Sequence, residues 1–215
     1  MSPILLTAKQ IAHWTDGTIL REATGSGMQF DSRLIQENEW FVVLQGARDG
    51  HDFLPMAKAQ NCAGAIGQHM PTGWTGGFVQ VQDSLKAFQQ ISHGVRQEFR
   101  KPVVAITGSA GKTTTRALIA SVLQGLGTVH QTNGNFNNHI GVPKTITDAS
   151  GTEDAWVLEM GMSALGEIHD LQQIAEPDIR IITNVGAAHI EGCGSIEGVA
   201  QAKGELFAGA RPKDI

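Results

Sequence analysis

The feature that most constrains this chain is an apolar run that leads through a glycine-rich loop into a helical pattern. Residues 103–107 are apolar and β-branched, which is typical of a buried parallel strand. Residues 108–114 read Gly-Ser-Ala-Gly-Lys-Thr-Thr, and the pattern of residues 113–126 predicts a helix. Glycines let backbone N–H groups face an anion, and a helix amino terminus adds partial positive charge. We call residues 108–114 the phosphate loop, because the pattern predicts binding of the phosphates of ATP.

Individual residues of the phosphate loop have predicted roles. Lys112 would reach the terminal phosphates, and the Thr113 hydroxyl would bind Mg²⁺. The general pattern places a further glycine six residues before Lys112, where this chain has Ile106. A glycine-rich turn without a ligand is the competing interpretation. The residues predicted to bind the nucleotide are Gly108, Ser109, Ala110, Gly111, Lys112, Thr113 and Thr114.

Patterning on both sides of the loop predicts an α/β protein with two domains. In a first domain, residues 1–100, we expect a small mixed α/β unit. In a second domain, residues 101–215, alternating strands and helices predict a parallel sheet covered by helices, with ligands at the carboxyl ends of its strands. Predicted strands are 40–44, 62–66, 77–81, 103–107, 155–160 and 179–183; predicted helices are 53–60, 85–99 (capped by Asp83 or Ser84), 113–126, one from Ser163 to before Pro177, and one capped by Ser195 that carries Val199, Lys203 and Phe207.

Composition excludes several classes of protein. A formal net charge of −5, with 16 scattered basic residues, argues against a nucleic-acid binder. No apolar run approaches the roughly 18 residues of a membrane span, and the amino terminus lacks the pattern of a signal peptide. The two cysteines, Cys62 and Cys193, indicate neither a disulfide framework nor zinc spacing. We therefore expect a cytoplasmic location.

Glu159 and His189, which end or follow predicted strands, are candidates for metal binding, and Lys203 is a third residue whose position is informative. Glu159 ends a strand on the side of the phosphate loop, where its carboxylate could share Mg²⁺ with Thr113, although a solvated acid is an equal alternative. His189 follows the next strand, and most histidines at such places are structural or merely exposed. Lys203 lies on an otherwise apolar helix face, and patterning alone favours a snorkelling lysine with its head in water.

Residues 132–143 form an asparagine-rich segment, which we call the asparagine loop. Side-chain amides donate and accept hydrogen bonds at once, which suits a sugar, a peptide or a phosphate. Asparagine also favours turns, so a purely structural loop is an equal alternative.

Taken together, these segments resemble the Mur ligase family of peptidoglycan synthesis over essentially the whole chain. The shared motifs occur in the family's order: T-G-S-A-G-K-T-T, G-N-F-N-N-H-I-G-V-P, L-E-M-G, and A-A-H-I-E-G followed by A-K-G-E-L-F. In the first domain, F-D-S-R at 30–33, F-V-V-L-Q-G at 41–46 and D-G-H-D-F at 49–53 look like the part that binds the UDP-sugar end of the substrate. The G-N-F-N-N and E-M-G motifs look most like the members that add D-alanyl-D-alanine to UDP-N-acetylmuramoyl-tripeptide (UDP-MurNAc-tripeptide).

The resemblance implies an ATP-dependent amide ligase. ATP would phosphorylate the terminal carboxylate of UDP-MurNAc-tripeptide, and the amine of D-alanyl-D-alanine would attack the acyl phosphate. Thr113 and Glu159 are then expected to hold one Mg²⁺, while His189 and a carbamylated Lys203 serve a second. Lys112, Lys203 and His189 are the expected catalytic residues. The expected substrate-binding residues are Ser32, Arg33, Gly46, His51, Asn135, Asn137 and Asn138.

The resemblance also bears on the extent of the chain. The ligases that this chain resembles are longer proteins, in which a further, C-terminal domain closes over the site. We therefore expect this chain alone to be an incomplete and inactive portion. A truncated central sheet would leave an unpaired strand edge that invites self-association. The main alternative function is a non-catalytic module that binds a UDP-sugar peptide. A generic phosphate-loop NTPase and a folate-polyglutamate ligase fit the motifs less well.

Overall fold

A computed structural model describes residues 3–212 and 214 of the chain, which divides into two compact units. One unit comprises Met1–Gly94 with Thr147–Ser150, and the other comprises Val95–Ile146 with Gly151–Ile215. The division falls between Gly94 and Val95, inside the helix Ser84–Glu98. This is a few residues before the boundary near residue 100 that the sequence predicts. The last turn of that helix belongs to the second unit because Arg96 donates from Nε to the Ala175 carbonyl at 2.7 Å.

The first unit is a small mixed α/β structure. Its five-stranded sheet has the order β2-β7-β6-β5-β4, in which β4 to β7 run parallel and β2 is antiparallel to β7; β1 and β3 form a separate antiparallel pair. The elements are β1 Leu5–Thr7, α1 Ala8–Thr15, β2 Thr18–Arg21, β3 Thr24–Ser26, β4 Met28–Gln29, β5 Trp40–Val42, α2 Leu54–Ala59, β6 Gly64–Gly67, β7 Gly77–Gln80 and α3 Ser84–Glu98.

Aromatic side chains build the core of this unit. Trp40 and Phe78 are fully buried, and Trp40 donates from Nε1 to the Leu6 carbonyl at 2.9 Å, so burial leaves no indole donor unpaired. At the start of α3 the Asp83 carboxylate accepts from the backbone N–H groups of Leu85 and Lys86. Of the two predicted caps, Asp83 is therefore the one that accepts these hydrogen bonds.

The second unit confirms the predicted parallel sheet. All neighbours in its four-stranded sheet, of order β11-β8-β10-β9, are parallel. Within the described residues each end strand, β9 and β11, pairs on one side only; the self-association expected from an open edge stays a prediction. The elements are β8 Val103–Thr107, α4 Lys112–Gln124, β9 Val129–Gln131, α5 Gly141–Thr147, β10 Ala155–Glu159, α6 Glu167–Ala175, β11 Ile179–Ile182, α7 Ile190–Cys193 and α8 Ile196–Gly204.

One helix begins later than its sequence predicts. α6 starts at Glu167 rather than near Ser163, because Gly166 adopts a positive φ of 90° and breaks the helical path. The Glu205 carboxylate accepts from the backbone N–H groups of Gly166 and His169 and so caps the first turn from a distant part of the chain. The predicted cap of α8 is confirmed, since Ser195 Oγ accepts from the Gly198 N–H at 3.1 Å.

Candidate functional site

The phosphate loop connects β8 to α4 and owes its path to two glycines. Gly108 has a φ of 154°, and a Cβ at this position would overlap the hydroxyl of Thr183. Gly111 has a φ of 79° and directly precedes the first turn of α4. Ile106, where the general motif has a glycine, is fully buried within β8. The departure from the motif therefore lies in the strand and leaves the loop itself unchanged.

The segment that follows β11 supports the phosphate loop from beside it. The Ala110 N–H donates to Asn184 Oδ1 at 3.0 Å, and the Thr183 hydroxyl donates to the Ala110 carbonyl at 2.6 Å. Ser109 Oγ accepts from the Gly186 N–H at 2.9 Å. These bonds hold the loop in its curved form before any anion arrives. Sequence analysis missed Thr183 and Asn184, although their place at the end of a predicted strand beside the loop was a usable signal.

Lys112 begins α4 and turns back over the loop. Its Nζ donates to the Gly108 carbonyl at 2.8 Å, which holds the ammonium group against the start of the phosphate loop. Helix α4 begins at the same point and adds its partial positive charge. The arrangement concentrates positive potential where the terminal phosphates of a nucleotide would bind.

Glu159 lies at the carboxyl end of β10 and contacts two other parts of the unit, α4 and the asparagine loop. The Thr113 hydroxyl donates to Oε2 at 2.9 Å, and the Asn137 amide donates to Oε1 at 2.9 Å. The residue is only 3 % exposed, so the solvated-acid alternative is wrong. Arg116, which sequence analysis missed, lies with Nη1 4.0 Å from Oε2.

The three predicted asparagines of the asparagine loop have different surroundings. Asn137 faces Glu159, and its backbone carbonyl accepts from the Gly161 N–H at 2.7 Å. Asn138 Oδ1 accepts from the N–H groups of Ile140 and Gly141, which starts α5. Asn135 is exposed and accepts from the Asn137 N–H through its carbonyl at 2.7 Å. The structure thus joins one of the three amides to the carboxylate and gives a second a capping role.

Lys203 and His189 occupy very different environments. Lys203 is only 1 % exposed, and its Nζ forms no hydrogen bond or ion pair with any residue in the described ranges 3–212 and 214. Burial lowers the pKa of its amine, and the charge of Lys112 lowers it further. The snorkelling interpretation is therefore wrong. His189 is exposed and precedes α7 with a φ of 63°; its pairing with Lys203 at a metal stays a prediction.

The side chains around the phosphate loop suit a hard cation. A carboxylate and a hydroxyl, from Glu159 and Thr113, are oxygen donors of the kind Mg²⁺ prefers, and Mg²⁺ commonly completes its shell with water and substrate phosphates. Among the residues that the structure describes, no group of three or more His, Cys, Asp or Glu could hold a metal without such help. The donors present therefore fit a Mg²⁺ ion that arrives with a nucleotide. The buried, unpartnered amine of Lys203 is compatible with a modification that gives it ligands.

The candidate substrate residues of the first unit follow its parallel strands. After β4, Arg33 donates to Asp31 from Nε at 2.9 Å and from Nη2 at 2.6 Å, and these hydrogen bonds hold the pKa of the Asp31 carboxyl below its usual value. The Arg33 side chain nevertheless stays 78 % exposed. Ser32 is buried and donates from Oγ to Met56 Sδ at 3.3 Å. Of this pair, Arg33 is the one open to a ligand.

His51 and Gly46 follow β5 at the same edge of the sheet. Asp49 accepts from the backbone N–H and from Nδ1 of His51, and these contacts lower the pKa of the Asp49 carboxyl. The ring of His51 stacks on that of His69, with centroids 3.8 Å apart and planes inclined by 10°. Gly46 is exposed, and its N–H donates to the Arg48 carbonyl at 3.2 Å. His69 lies two residues after the end of β6, so its position after a predicted strand was the signal that could have found it.

Comparison with known proteins places these features in a family. The family model for the Mur ligase middle domain matches residues 106–215. The curated UDP-N-acetylmuramoyl-tripeptide–D-alanyl-D-alanine ligases of Synechocystis and Bacillus subtilis are 42 % and 39 % identical, over 85 % and 97 % of this chain. The chain spans 41 % and 47 % of the length of these two relatives.

Solved structures agree with the sequence relatives. A crystal structure of MurF from Acinetobacter baumannii matches 99 % of this chain and 48 % of its own, at a TM-score of 0.89 and 30 % identity. The structure of the MurF ligase from Thermotoga maritima in complex with ADP matches 86 % of this chain and 44 % of its own, at a TM-score of 0.78 and 31 % identity. No helix in the described part of the chain has the length and apolar character required to cross a membrane. On its sequence, its fold and its phosphate loop, this chain belongs to the Mur ligase family.

Proposed function

We propose that this chain forms part of an ATP-dependent amide ligase of peptidoglycan precursor synthesis. In this proposal the ligase joins D-alanyl-D-alanine to UDP-MurNAc-tripeptide, the reaction that the names of the relatives describe. The observation that carries the proposal is the contact between Thr113 and Glu159 beside the phosphate loop. This contact brings a hydroxyl and a carboxylate to the place where a metal-bound nucleotide would meet α4.

The second unit would bind the nucleotide and hold its charge. The N–H groups of the phosphate loop and the ammonium group of Lys112 would neutralise the phosphates, and phosphoryl transfer depends mostly on such neutralisation and positioning. Thr113 and Glu159 would hold one Mg²⁺, which neutralises charge on the transferred phosphoryl group. The ADP named in the Thermotoga maritima structure supports a nucleotide as the ligand.

The reaction itself would use two displacements. A carboxylate oxygen of the tripeptide attacks the terminal phosphorus of ATP, and ADP leaves as a C–O–P bond forms. The amine of D-alanyl-D-alanine then attacks the acyl carbon, and phosphate leaves as the amide bond forms and the amine loses a proton. In the first displacement the developing negative charge lies on phosphate oxygens, next to which Lys112 would be placed.

Lys203 would serve the site as a carbamate. Burial favours its neutral amine, which can add to CO₂ with loss of a proton to give a carboxylate-like anion. Such an anion would supply the oxygen ligands that an ammonium group lacks, and with His189 it would serve a second Mg²⁺. The full burial of Lys203 and its lack of a partner among the described residues support this assignment.

The first unit would bind the UDP-sugar end of the substrate. Arg33 is exposed and carries the positive charge that a diphosphate requires, and His51 is held in place by Asp49. Ser32 and Gly46 lie in the same two segments and would contribute through backbone groups. Asn135, Asn137 and Asn138 would meet the peptide end of the substrate in the second unit.

Separate titrations by calorimetry test the proposal, with binding as the readout because the chain spans less than half of the relatives' length. The 215-residue chain should bind both Mg²⁺·ATP and UDP-MurNAc-tripeptide. Lys112→Ala should lose nucleotide binding and Arg33→Ala should weaken sugar-nucleotide binding, while Lys9→Ala, an exposed lysine of the first unit, serves as control. Binding of the sugar nucleotide without any response to ATP would favour the non-catalytic module instead.

A further inference from the structure

Arg116 lies one helical turn beyond Thr113 on the same face of α4. Residues three apart on a helix are neighbours, so both side chains point toward the carboxyl ends of the adjacent strands. The Arg116 side chain is only 11 % exposed. A buried guanidinium must be compensated by acceptors or by an opposite charge, so its contacts indicate its role.

The contacts of Arg116 close a ring through three elements. Its Nη1 donates to the backbone carbonyl of Thr132, which directly follows β9. The hydroxyl of Thr132 in turn accepts from the backbone N–H of Glu159 at 2.9 Å, and the same Nη1 lies 4.0 Å from Glu159 Oε2. Helix α4 and the ends of β9 and β10 are therefore connected through one arginine.

Charge distinguishes Arg116 from the other contacts of Glu159. Thr113 and Asn137 donate to the carboxylate but are neutral, and Arg116 is the one cation within 4.0 Å of it among residues 3–212 and 214. A carboxylate that is 4 % exposed is costly without a positive partner. Lys112 does not supply that charge, because its Nζ donates to the Gly108 carbonyl instead.

The guanidinium is also incompletely satisfied, which is unusual for a purely structural arginine. Its Nε is buried and has no hydrogen-bond partner. The side chain is thus held by Thr132 and by the charge of Glu159 rather than by a full set of acceptors. This geometry suits a residue whose task is to fix a carboxylate.

We infer that Arg116 is a positioning residue that orients Glu159 toward Thr113 and leaves Lys112 free for phosphate. The inference rests on the proposed function, because it assigns Glu159 to the Mg²⁺ that accompanies ATP. Without Arg116, the buried carboxylate would have no cation within 4.0 Å among residues 3–212 and 214. A shift of Lys112 from the Gly108 carbonyl to Glu159 would then remove a metal ligand and a phosphate ligand together.

Calorimetric titration of ATP, with Mg²⁺ and with excess chelator, tests the inference on wild type, Arg116→Gln, Arg116→Lys and the exposed control Arg100→Gln. Arg116→Gln should weaken Mg²⁺-dependent ATP binding about tenfold or more, as loss of residues that support metal ligands commonly does. Arg116→Lys should recover part of that loss because it keeps the charge. Binding in chelator should change much less, and Arg100→Gln should match wild type.

A double-mutant cycle with Glu159→Gln separates positioning from general damage to the fold. If Arg116 acts through Glu159, its replacement should cost little once the carboxylate is gone. An equal loss in both backgrounds, or tighter Mg²⁺·ATP binding by Arg116→Gln through relieved charge repulsion, would overturn the inference. Should Arg116→Gln not fold, the cycle of Arg116→Lys with Glu159→Gln decides the matter. Failure of the wild-type chain to bind Mg²⁺·ATP would instead refute the proposed function.

Discussion

The hydroxyl of Thr113 donates to Oε2 of Glu159 at 2.9 Å and so joins the first turn of α4 to the end of β10. Because the carboxylate is buried, this bond both orients Glu159 and satisfies one of its hydrogen-bond acceptors. Replacement of Thr113 should therefore affect metal-dependent binding more than binding of the nucleotide alone.

We expect Thr113→Val to weaken Mg²⁺-dependent ATP binding about tenfold or more, since a hydrogen bond to a charged group contributes about 1.5–3 kcal/mol. Thr113→Ser keeps the hydroxyl and is the matched control. Titrations over a range of Mg²⁺ concentrations provide the measurement. Equal Mg²⁺ requirements for the valine and serine variants would contradict the assignment of Thr113 to the metal.

A second prediction compares the two glycines of the phosphate loop. Gly108→Ala introduces a Cβ that overlaps the Thr183 hydroxyl at a φ of 154°, whereas at Gly111 a Cβ would meet no atom within 4 Å. Backbone strain alone costs about 1–3 kcal/mol, so Gly111→Ala should lower the free energy of unfolding by that amount. Gly108→Ala should lower it further, as measured by urea denaturation.

The double variant Gly108→Ala with Thr183→Ala checks the cause of this difference. Removal of the Thr183 hydroxyl relieves the overlap, so the double variant should recover part of the stability lost by Gly108→Ala. Gly108→Ala and Gly111→Ala of equal stability would show that the Thr183 contact does not limit this position.

A third prediction concerns the proposed carbamate. With ¹³C-labelled bicarbonate, wild-type protein should give a carbamate signal in the ¹³C NMR spectrum that Lys203→Met lacks. The reason is that burial favours the neutral, reactive amine at Lys203. Lys86→Met, which removes a lysine from the first unit, should keep the signal. A signal that persists in Lys203→Met would assign the modification to another amine.

A fourth prediction concerns stability at acidic pH. Asp154 accepts from Lys101 Nζ at 2.8 Å and from the N–H and hydroxyl of Thr128, which together lower its pKa from 3.8 to about 2. Because the pKa is lower in the folded state, these contacts stabilise the protein above pH 3.8, and the contribution disappears as the pH falls to about 2.

Unfolding free energies measured by urea denaturation across that pH range test the Asp154 contribution. Asp154→Asn should show a flatter decline than wild type, because the amide cannot titrate. Lys101→Met should keep part of the slope, since the Thr128 donors remain. A wild-type slope in Asp154→Asn would mean that other carboxylates account for the acid sensitivity.

Local patterning was sufficient for the part of the fold around the phosphate loop. The strand at 103–107 was predicted with the bounds that the structure has, because a β-branched apolar run next to glycines has few alternatives. β4 and β9 were missed, since strands of two and three residues are too short to show a repeating pattern of apolar and polar side chains. α5 was missed because its sequence, Gly-Val-Pro-Lys-Thr-Ile-Thr, contains poor helix formers.

The site was predictable only where motif and position coincided. Glu159 and Thr113 stood at the ends of predicted elements on one side of the sheet, and the structure joins them. Arg116 and Asn184 were missed because their roles depend on contacts between segments distant in sequence. For Lys203, an apolar helix face was compatible with snorkelling and with burial, and only tertiary packing distinguishes the two.

The order of the parallel sheet has a consequence for how the protein acquires its ligand site during folding. The Thr113–Glu159 contact spans 46 residues and the Ala110–Asn184 contact spans 74, so loop closure over long stretches must precede both. Such non-local contacts form slowly compared with helices. A chain that had formed only β8 and α4 would hold the motif in sequence but lack its supports. Recovery of nucleotide binding during refolding should therefore report completion of the sheet, later than the recovery of helical circular dichroism.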